Sequence, residues 1–366
     1  MRRSLIRHAL FDFPPYCPGL SIEEIQVRYG LSSVIKLASN ENPLGVSPKV
    51  LQVLEKHLPE VHRYPRAGSP RLRQALGAYH GVPEDRIVAG NGSDEIIDLL
   101  IRMAVEPGRD HVLAFQPSFD IYRLQSQLCG VAFRQIALRC DFTFPMQELL
   151  AAVNDTTAMV FLTTPDNPSG YAPPVEAVLE LHRRLPEDCL LVVDEAYMDF
   201  AVPQERYSVL SLAGNVPNLV VLRTFSKLYG LAGLRLGYGV MSAELADCLL
   251  RVKLPFSVNL LAEAAGIAAL DDEAFRSETI RTVVQGRERL TVALGEMGFL
   301  VYTSQANFIL VKPPLGAPEL FEKLLSRGII IRPLASYGLP DLLRISIGNA
   351  EENQALLRAI RVILEP

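Results

Sequence analysis

The sequence predicts an α/β protein: a large domain with a mostly parallel central sheet, and a smaller α+β domain. Three observations carry this expectation. Short apolar runs recur along the first two thirds of the chain, as buried parallel strands require: HVLAF at 111, AMVFLTT at 158, CLLVVDEAY at 189 and LVVLRTFS at 219. Segments of helical spacing lie between them, which implies right-handed crossovers on a parallel sheet. From about residue 271 the alternation gives way to a charged helical stretch followed by strands and helices in a different order.

Taken in chain order, a proline-rich arm (Phe13, Pro14, Pro15, Tyr16) comes first. The apolar run Ile87 to Ala89 then leads into GNGSDE at 90 to 95. Ser93 is a candidate N-cap for a helix over Asp94 to Ala104, in which Ile96, Ile97, Leu100 and Ile101 share one face. The four apolar runs follow as strands. Beyond them a charged helix is expected over Asp271 to Gly295, then strands FLVY and NFILV, a helix, strands GIIIRPL and DLLRISIG, and a last helix. The expected division is an N-terminal arm (1–38) packing with the small domain, a large domain (39–270) and a small domain (271–366). No internal repeat or low-complexity tract interrupts it.

Composition narrows the function classes. The chain has 366 residues, 49% of them hydrophobic, enough to bury a substantial core and to form two domains. Its 36 basic and 41 acidic residues give a formal charge of −5, so nothing in the balance suggests a nucleic-acid partner or an anionic membrane surface. The five cysteines are scattered without a C-x-x-C pair, which argues against a disulfide framework or zinc site and fits a reducing cytoplasm. The opening MRRSLIRHALFDF breaks its apolar run at Arg7 and His8, too early for a secretory signal. No apolar stretch approaches the roughly 18 residues of a membrane helix. The six histidines do not cluster as metal ligands.

Four motifs at strand ends carry the candidate chemistry. GNGSDE opens a helix, whose first N–H groups suit an anion such as phosphate, although a plain glycine turn reads equally well. Glu95 stands where a dinucleotide fingerprint needs its third glycine, which disfavours a nicotinamide enzyme. TTPDNPSG at 163 to 170 ends a strand in a turn with Asn167, and DEAYMDF at 194 to 200 puts two carboxylates at a strand's C-terminal end. Such acids are either ligand contacts or solvated loop residues. RTFSKLYGLAG at 223 to 233 sets Lys227 beside Ser226 and ahead of Arg235. A surface lysine would look the same, but a buried one loses its proton more readily and becomes a nucleophile. A phosphate cradle, a strand-end acid, an activated lysine and an arginine together make the parts of a pyridoxal-phosphate site.

Those motifs, with PYCPG, IKLASNENPLG, RYP at 63 to 65, PSFDIY, GLRLGY, PFSVN and LRISIG, occur in an order and spacing that span some 300 residues. In them the chain resembles the fold-type I pyridoxal-phosphate aminotransferases, and within these the histidinol-phosphate aminotransferase family. The resemblance implies Lys227 as the Schiff-base lysine and proton shuttle, and Asp194 as the partner of the pyridinium nitrogen. It implies Tyr197 and Asn167 as partners of the ring oxygen, and Phe119 against the ring face. Ser93, Asp94, Ser226 and Arg235 would hold the phosphate, and Tyr64 would reach it from a partner subunit, so a homodimer is expected. Arg344, Arg332 and Tyr16 would contact the anionic end of the substrate, although Arg332 could also be an ordinary strand-end arginine.

The implied reaction is transamination between L-histidinol phosphate and 2-oxoglutarate, giving imidazole-acetol phosphate and L-glutamate, a step of histidine biosynthesis. An aromatic amino-acid aminotransferase or a threonine-phosphate decarboxylase would share nearly all the cofactor residues. A non-catalytic regulator on the same scaffold is disfavoured by the retention of Lys227, Asp194 and Tyr197. Phe119 departs from the tyrosine common at its position, and Asp166 and Ser169 depart from the commoner Asn and Thr; neither of the last two is expected to change the reaction.

Overall fold

The computed structural model describes residue 11 and residues 19–365. The first helix, α1 (Ile22–Tyr29), starts from a capping box in which Ser21 accepts from the Glu24 N–H and Glu24 accepts from the Ser21 N–H. A short strand β1 (Ile35–Lys36) follows. Helices α2 (Pro48–His57) and α3 (Pro70–His80) each place proline at a first helical position behind a serine.

Alternation then sets in: β2 (Ile87–Asn91), α4 (Gly92–Ala104), β3 (His111–Gln116), α5 (Asp120–Cys129), β4 (Ala132–Ala137), α6 (Met146–Ala152), β5 (Thr157–Thr163), α7 (Val175–Arg184), β6 (Leu190–Asp194), α8 (Leu210–Ala213) and β7 (Leu219–Thr224). After β7 the chain returns at once in β8 (Leu236–Val240), then forms α9 (Ala243–Val252) and α10 (Leu260–Leu270). These strands make one seven-stranded sheet, ordered β2-β8-β7-β6-β5-β3-β4. β3 to β7 pair in parallel and β8 runs antiparallel to both neighbours.

The apolar runs are strands because both faces of the sheet are covered. Leu113, Val160, Leu162, Leu191, Val193 and Val221 enter one core, whereas Val112, Phe161, Val192, Val220 and Leu222 meet Ile96, Ile97 and Leu100 of α4 in another. Successive residues alternate between the two, as the pleat demands.

One expectation about the elements is corrected. Ser93 does not cap α4; the helix already begins at Gly92, with Asn91 in the cap position and Ser93 inside the first turn. Gly92 turns the backbone at φ +73°, and the Glu95 carboxylate accepts the Asn91 N–H at 2.7 Å, so the helix starts two residues earlier than a Ser93 cap would allow.

Beyond α10 come α11 (Glu273–Glu296, capped by Asp272), β9 (Leu300–Val301), β10 (Phe308–Lys312), α12 (Ala317–Leu325), β11 (Ile329–Ile330), β12 (Arg332–Leu334), β13 (Leu339–Ser346) and α13 (Ala350–Leu364). The GIIIRPL run splits into two strands. β11 pairs in parallel with β1, while β12 joins an antiparallel sheet ordered β12-β13-β10-β9. Residues 35–36 are thereby bound to the C-terminal elements.

Candidate active site

The cavity that gathers most of the expected residues lies at the C-terminal edge of the large sheet. Thr163, Asp194 and Thr224 are the last residues of β5, β6 and β7, and Asn91 ends β2. β5 and β6 pair Thr163 with Asp194, so the two adjacent strands deliver their polar ends to one crevice. Its empty volume is about 720 Å³, and Ser93, Asp94, Phe119, Asn167, Asp194, Tyr197, Ser226, Lys227 and Arg235 all line it.

One end of the cavity is an anion cradle. The N-terminus of α4 faces it, with Ser93 in the first turn. Arg235, itself at φ +56°, stands opposite with a guanidinium N–H 3.1 Å from Asp94 Oδ2. Thr224 Oγ1 accepts the Ser226 N–H and donates to Ser226 Oγ, which fixes that hydroxyl. The close approach needs Gly237 on β8, because a Cβ there would fall 2.3 Å from the Ser93 nitrogen. Burial raises the Asp94 carboxyl and Arg235 pulls it back.

The middle holds the reactive groups. Lys227 follows β7 by three residues; its amine donates to the Ser39 carbonyl at 3.3 Å and lies 5.6 Å from the centre of the Tyr197 ring. Desolvation first, and then the positive charge of Arg344, lower its pKa to about 8, so a useful fraction is unprotonated near neutral pH. Asp194 is buried, and desolvation pushes it up to about 6 against the hydrogen bonds from Tyr122 Oη (2.7 Å) and the Ala196 N–H (3.1 Å). Neither bond brings a compensating cation. Tyr197 receives the Asn40 amide at 3.2 Å and packs edge-on against Phe308. Its burial raises the phenol.

A second chamber of about 490 Å³ adjoins the first, sharing Phe119, Asn167, Tyr197 and Lys227. Its far wall is basic. Arg332 and Arg344 are direct partners across the antiparallel pair β12 and β13, an arrangement that like charges ordinarily disfavour. Arg344 is buried, with one guanidinium nitrogen donating to Asn167 Oδ1 and another to the Ala38 carbonyl at 2.8 Å. No carboxylate lines this chamber among the described residues.

Two expected residues are elsewhere. Tyr64 is 83% exposed, stacked on Phe256 at 4.9 Å, and lines neither chamber. Tyr16 lies outside the described residues. Of the two strand-end carboxylates, Glu195 turns to the opposite side and pairs with Arg223. Asp166 accepts from both the hydroxyl and the N–H of Ser169, at 2.6 and 3.1 Å, so the two unusual residues of PDNPSG satisfy each other; burial pushes Asp166 up to about 7.

Sequence reading missed Asn40 and Tyr122. Asn40, at φ +56°, bonds Tyr197, and Ser346 Oγ donates to its side-chain oxygen at 2.9 Å. Its signal was the NENPLG text. Tyr122 Oη shares hydrogen bonds with Asp194 and Thr163, and its ring stacks on Phe161 at 4.3 Å; nothing local in PSFDIY marks it.

A flat, phosphorylated heteroaromatic aldehyde would fit this set: the cradle would suit its phosphate, Phe119 its ring face, Asp194 its ring nitrogen and Lys227 its aldehyde. Comparisons with known proteins agree. The aminotransferase class I and II family model matches residues 32–360. A histidinol-phosphate aminotransferase of Nitratidesulfovibrio vulgaris is 55% identical over 359 residues, 98% of this chain and 96% of that one. One from Oleidesulfovibrio alaskensis is 54% identical over 363 residues, 98% and 95% of the two chains. The crystal structure of the Sinorhizobium meliloti histidinol-phosphate aminotransferase with pyridoxal-5′-phosphate superposes with a TM-score of 0.89 at 27% identity, covering 99% and 98% of the chains. With the site geometry and this near full-length identity in hand, the chain belongs to the class I and II aminotransferases.

Proposed function

We propose that the protein is a pyridoxal-phosphate-dependent transaminase that interconverts L-histidinol phosphate plus 2-oxoglutarate with imidazole-acetol phosphate plus L-glutamate, in histidine biosynthesis. The observation that carries the reading is the pairing of two chambers, one with Lys227 and Asp194 and the other walled by two cross-strand arginines. Histidinol phosphate has no carboxylate, so its phosphate needs an anion site that glutamate's carboxylate can also use, and a guanidinium suits both. The identity to relatives that bear this name supports the substrate choice over the aromatic and decarboxylase alternatives.

When bound, pyridoxal phosphate supplies an aldehyde for amines and a ring that takes up the electron pair left on the substrate's Cα. The protein does the rest. Lys227 Nζ, its pKa lowered to about 8, would hold the aldehyde carbon with loss of water and, once the donor amine takes its place, would move the proton from the substrate's Cα to that former aldehyde carbon. Asp194 keeps a negative charge facing the cavity, which holds a proton on the ring nitrogen. Tyr197 and Asn167 bond the ring oxygen; Arg344 orients the Asn167 amide. The backbone N–H groups of Ser93 and Asp94, with the Ser226 hydroxyl and Arg235, would anchor the phosphate, and Phe119 would cover one ring face. Arg344 and Arg332 would hold the substrate's anionic end, and Tyr16, which lies outside the described residues, is proposed to join them.

Tyr64 is proposed to complete the phosphate site of a second copy. Its exposure, stacked on the exposed Phe256, supports an apolar contact that a homodimer would cover. The cavity and its basic chamber, rather than a surface patch, point to small-molecule partners. No helix among the described residues is long and apolar enough to cross a membrane. The scattered thiols support a cytoplasmic location. The segments 39–270 and 271–366 are proposed as two domains, with the N-terminal arm on the second.

The deciding experiment compares kcat/KM for L-histidinol phosphate and L-phenylalanine, each with 2-oxoglutarate. A preference for the phosphate ester of at least about 100-fold is expected from one well-made anion contact. A preference for phenylalanine would move the protein to the aromatic aminotransferases.

A further inference from the structure

Two acids, Asp94 and Glu95, stand in the first turn of α4, where the helix dipole favours them but where each would repel a bound phosphate. Asp94 is answered inside the cavity by Arg235. Glu95 is turned out of it. Its Oε2 accepts the Asn91 N–H at 2.7 Å and the Ser257 hydroxyl at 2.9 Å, and lies 3.4 Å from Lys253 Nζ, which also meets Ser257 Oγ.

Lys253 is unusual in its own surroundings. Its side chain is 4% exposed, while the flanking Val252 and Leu254 are 54% and 71% exposed. Within one chain two apolar residues thus point outward and an ammonium points inward, the reverse of the ordinary pattern. Lys253 lines neither chamber, so it does not reach a ligand itself. What its position does achieve is to cancel a carboxylate one turn behind the cradle.

We infer that Glu95 and Lys253 form a positioning pair for the cofactor's phosphate. Glu95 clamps the Asn91 N–H and so holds the Gly92–Ser93 backbone in the shape that presents its N–H groups, and Lys253 removes the charge that this clamp would otherwise set behind the anion. Both acids of the first turn then have a private cation, and an anion site can carry two carboxylates without repelling its ligand. The inference rests on the proposal that the phosphate of pyridoxal phosphate lies at the start of α4. Ser257 belongs to the same segment as Phe256, against which Tyr64 stacks, so the pair also braces the residue proposed to serve the neighbouring site.

The test uses the full-length chain stripped of cofactor, with pyridoxal phosphate and unphosphorylated pyridoxal as probes, titrated at pH 8. Lys253→Met should lower the preference for pyridoxal phosphate over pyridoxal about tenfold, as an uncompensated charge near a dianion does in a partly solvated site. Adding Glu95→Gln to that variant should restore the preference to within about threefold of the original, because the amide still accepts the Asn91 N–H without its charge. Lys253→Arg should keep it. A purely structural role would weaken both probes alike and would show no rescue; either result, or an unchanged ratio in Lys253→Met, overturns the inference. Should Lys253→Met not fold, Lys253→Gln takes its place: the neutral side chain must lower the preference in the same way, and no change sinks the pair. If the unmodified protein itself fails to prefer pyridoxal phosphate, the placement of the phosphate falls instead.

Discussion

Asp194 and Glu195 are consecutive carboxylates at the end of β6, both buried, and the structure treats them in opposite ways. Glu195 faces Arg223, whose guanidinium lies 2.7 Å from it and 2.8 Å from Asp199, and it takes further bonds from Ser208 and the Val209 N–H. Its charge is spent inside the fold. Asp194 faces the cavity with only a phenol and a backbone N–H for company. Lys227 is its counterpart in sign, lowered rather than stabilised by its surroundings. Buried charge that is matched serves stability, and buried charge left unmatched stores free energy that a bound cofactor can release.

The largest break in that contrast comes at Lys227. Lys227→Ala should reduce turnover by about 10⁴-fold or more, since it removes both the amine that bonds the cofactor and the proton carrier. Single-turnover transamination, followed by absorbance after mixing with the amino donor, measures it. Retention of full activity would refute the assigned chemistry. Pyridoxal phosphate should still bind through its phosphate, so equilibrium dialysis should find it in the variant.

Asp194→Asn should cost about 10²–10³-fold in kcat/KM, comparable to the loss of a preorganised electrostatic contact. The same change should stabilise the cofactor-free protein. The folded chain holds the Asp194 proton up to about pH 6, while the unfolded chain releases it near 3.8. The native state therefore binds more protons between those values, and stability falls as pH rises through the window and is flat above it. At pH 7 the penalty is about 3 kcal/mol, and a neutral amide in place of the carboxylate would not incur it. Urea midpoints of the two cofactor-free proteins should differ at pH 7 and converge near pH 4. If the Asp194→Asn variant is the less stable at pH 7, the charge is not uncompensated.

This contrast also explains what could be read in the sequence. Lys227, Asp194, Tyr197, Asn167, Ser226 and Arg235 stand at strand ends in short local motifs, and strand ends are where an α/β sheet puts its crevice. Their burial and gathering follow from local text. Tyr122 acts on Asp194 across 72 residues, Asn40 on Tyr197 across 157, and Ser257 on Glu95 across 162; no local pattern announces such pairings. DEAYMDF announced two acids but not their sides, because side is decided by the strand's pleat and by Arg223 on the neighbouring β7. The Ser93 cap was misplaced for a similar reason: Glu95 reaches back to Asn91, and the helix starts where that bond allows.

Tyr122 sharpens the contrast at smaller amplitude. Its hydroxyl lowers Asp194 against the larger effect of burial. Tyr122→Phe should therefore move Asp194 further upward, shift the acid limb of the cofactor-free stability profile to higher pH, and reduce kcat/KM by about tenfold or less, the worth of one hydrogen bond to a charged group. A limb that stays in place would mean that the phenol does not act on Asp194.

Glu195→Gln should affect turnover least. The amide oxygen still accepts the Val209 N–H, so the backbone at the β6 end survives, while an NH2 replaces the oxygen that took the Ser208 hydroxyl and Arg223, which keeps only Asp199 as a counter-charge. The cost falls on the fold: about 1–3 kcal/mol, the loss of a charged hydrogen bond at a buried guanidinium. Denaturant midpoints should drop accordingly, and kcat/KM at low temperature should stay within about twofold. A large loss of activity with unchanged stability would reverse the assignment of the two neighbours, because it would mean that the matched charge, and not the unmatched one, faces the chemistry.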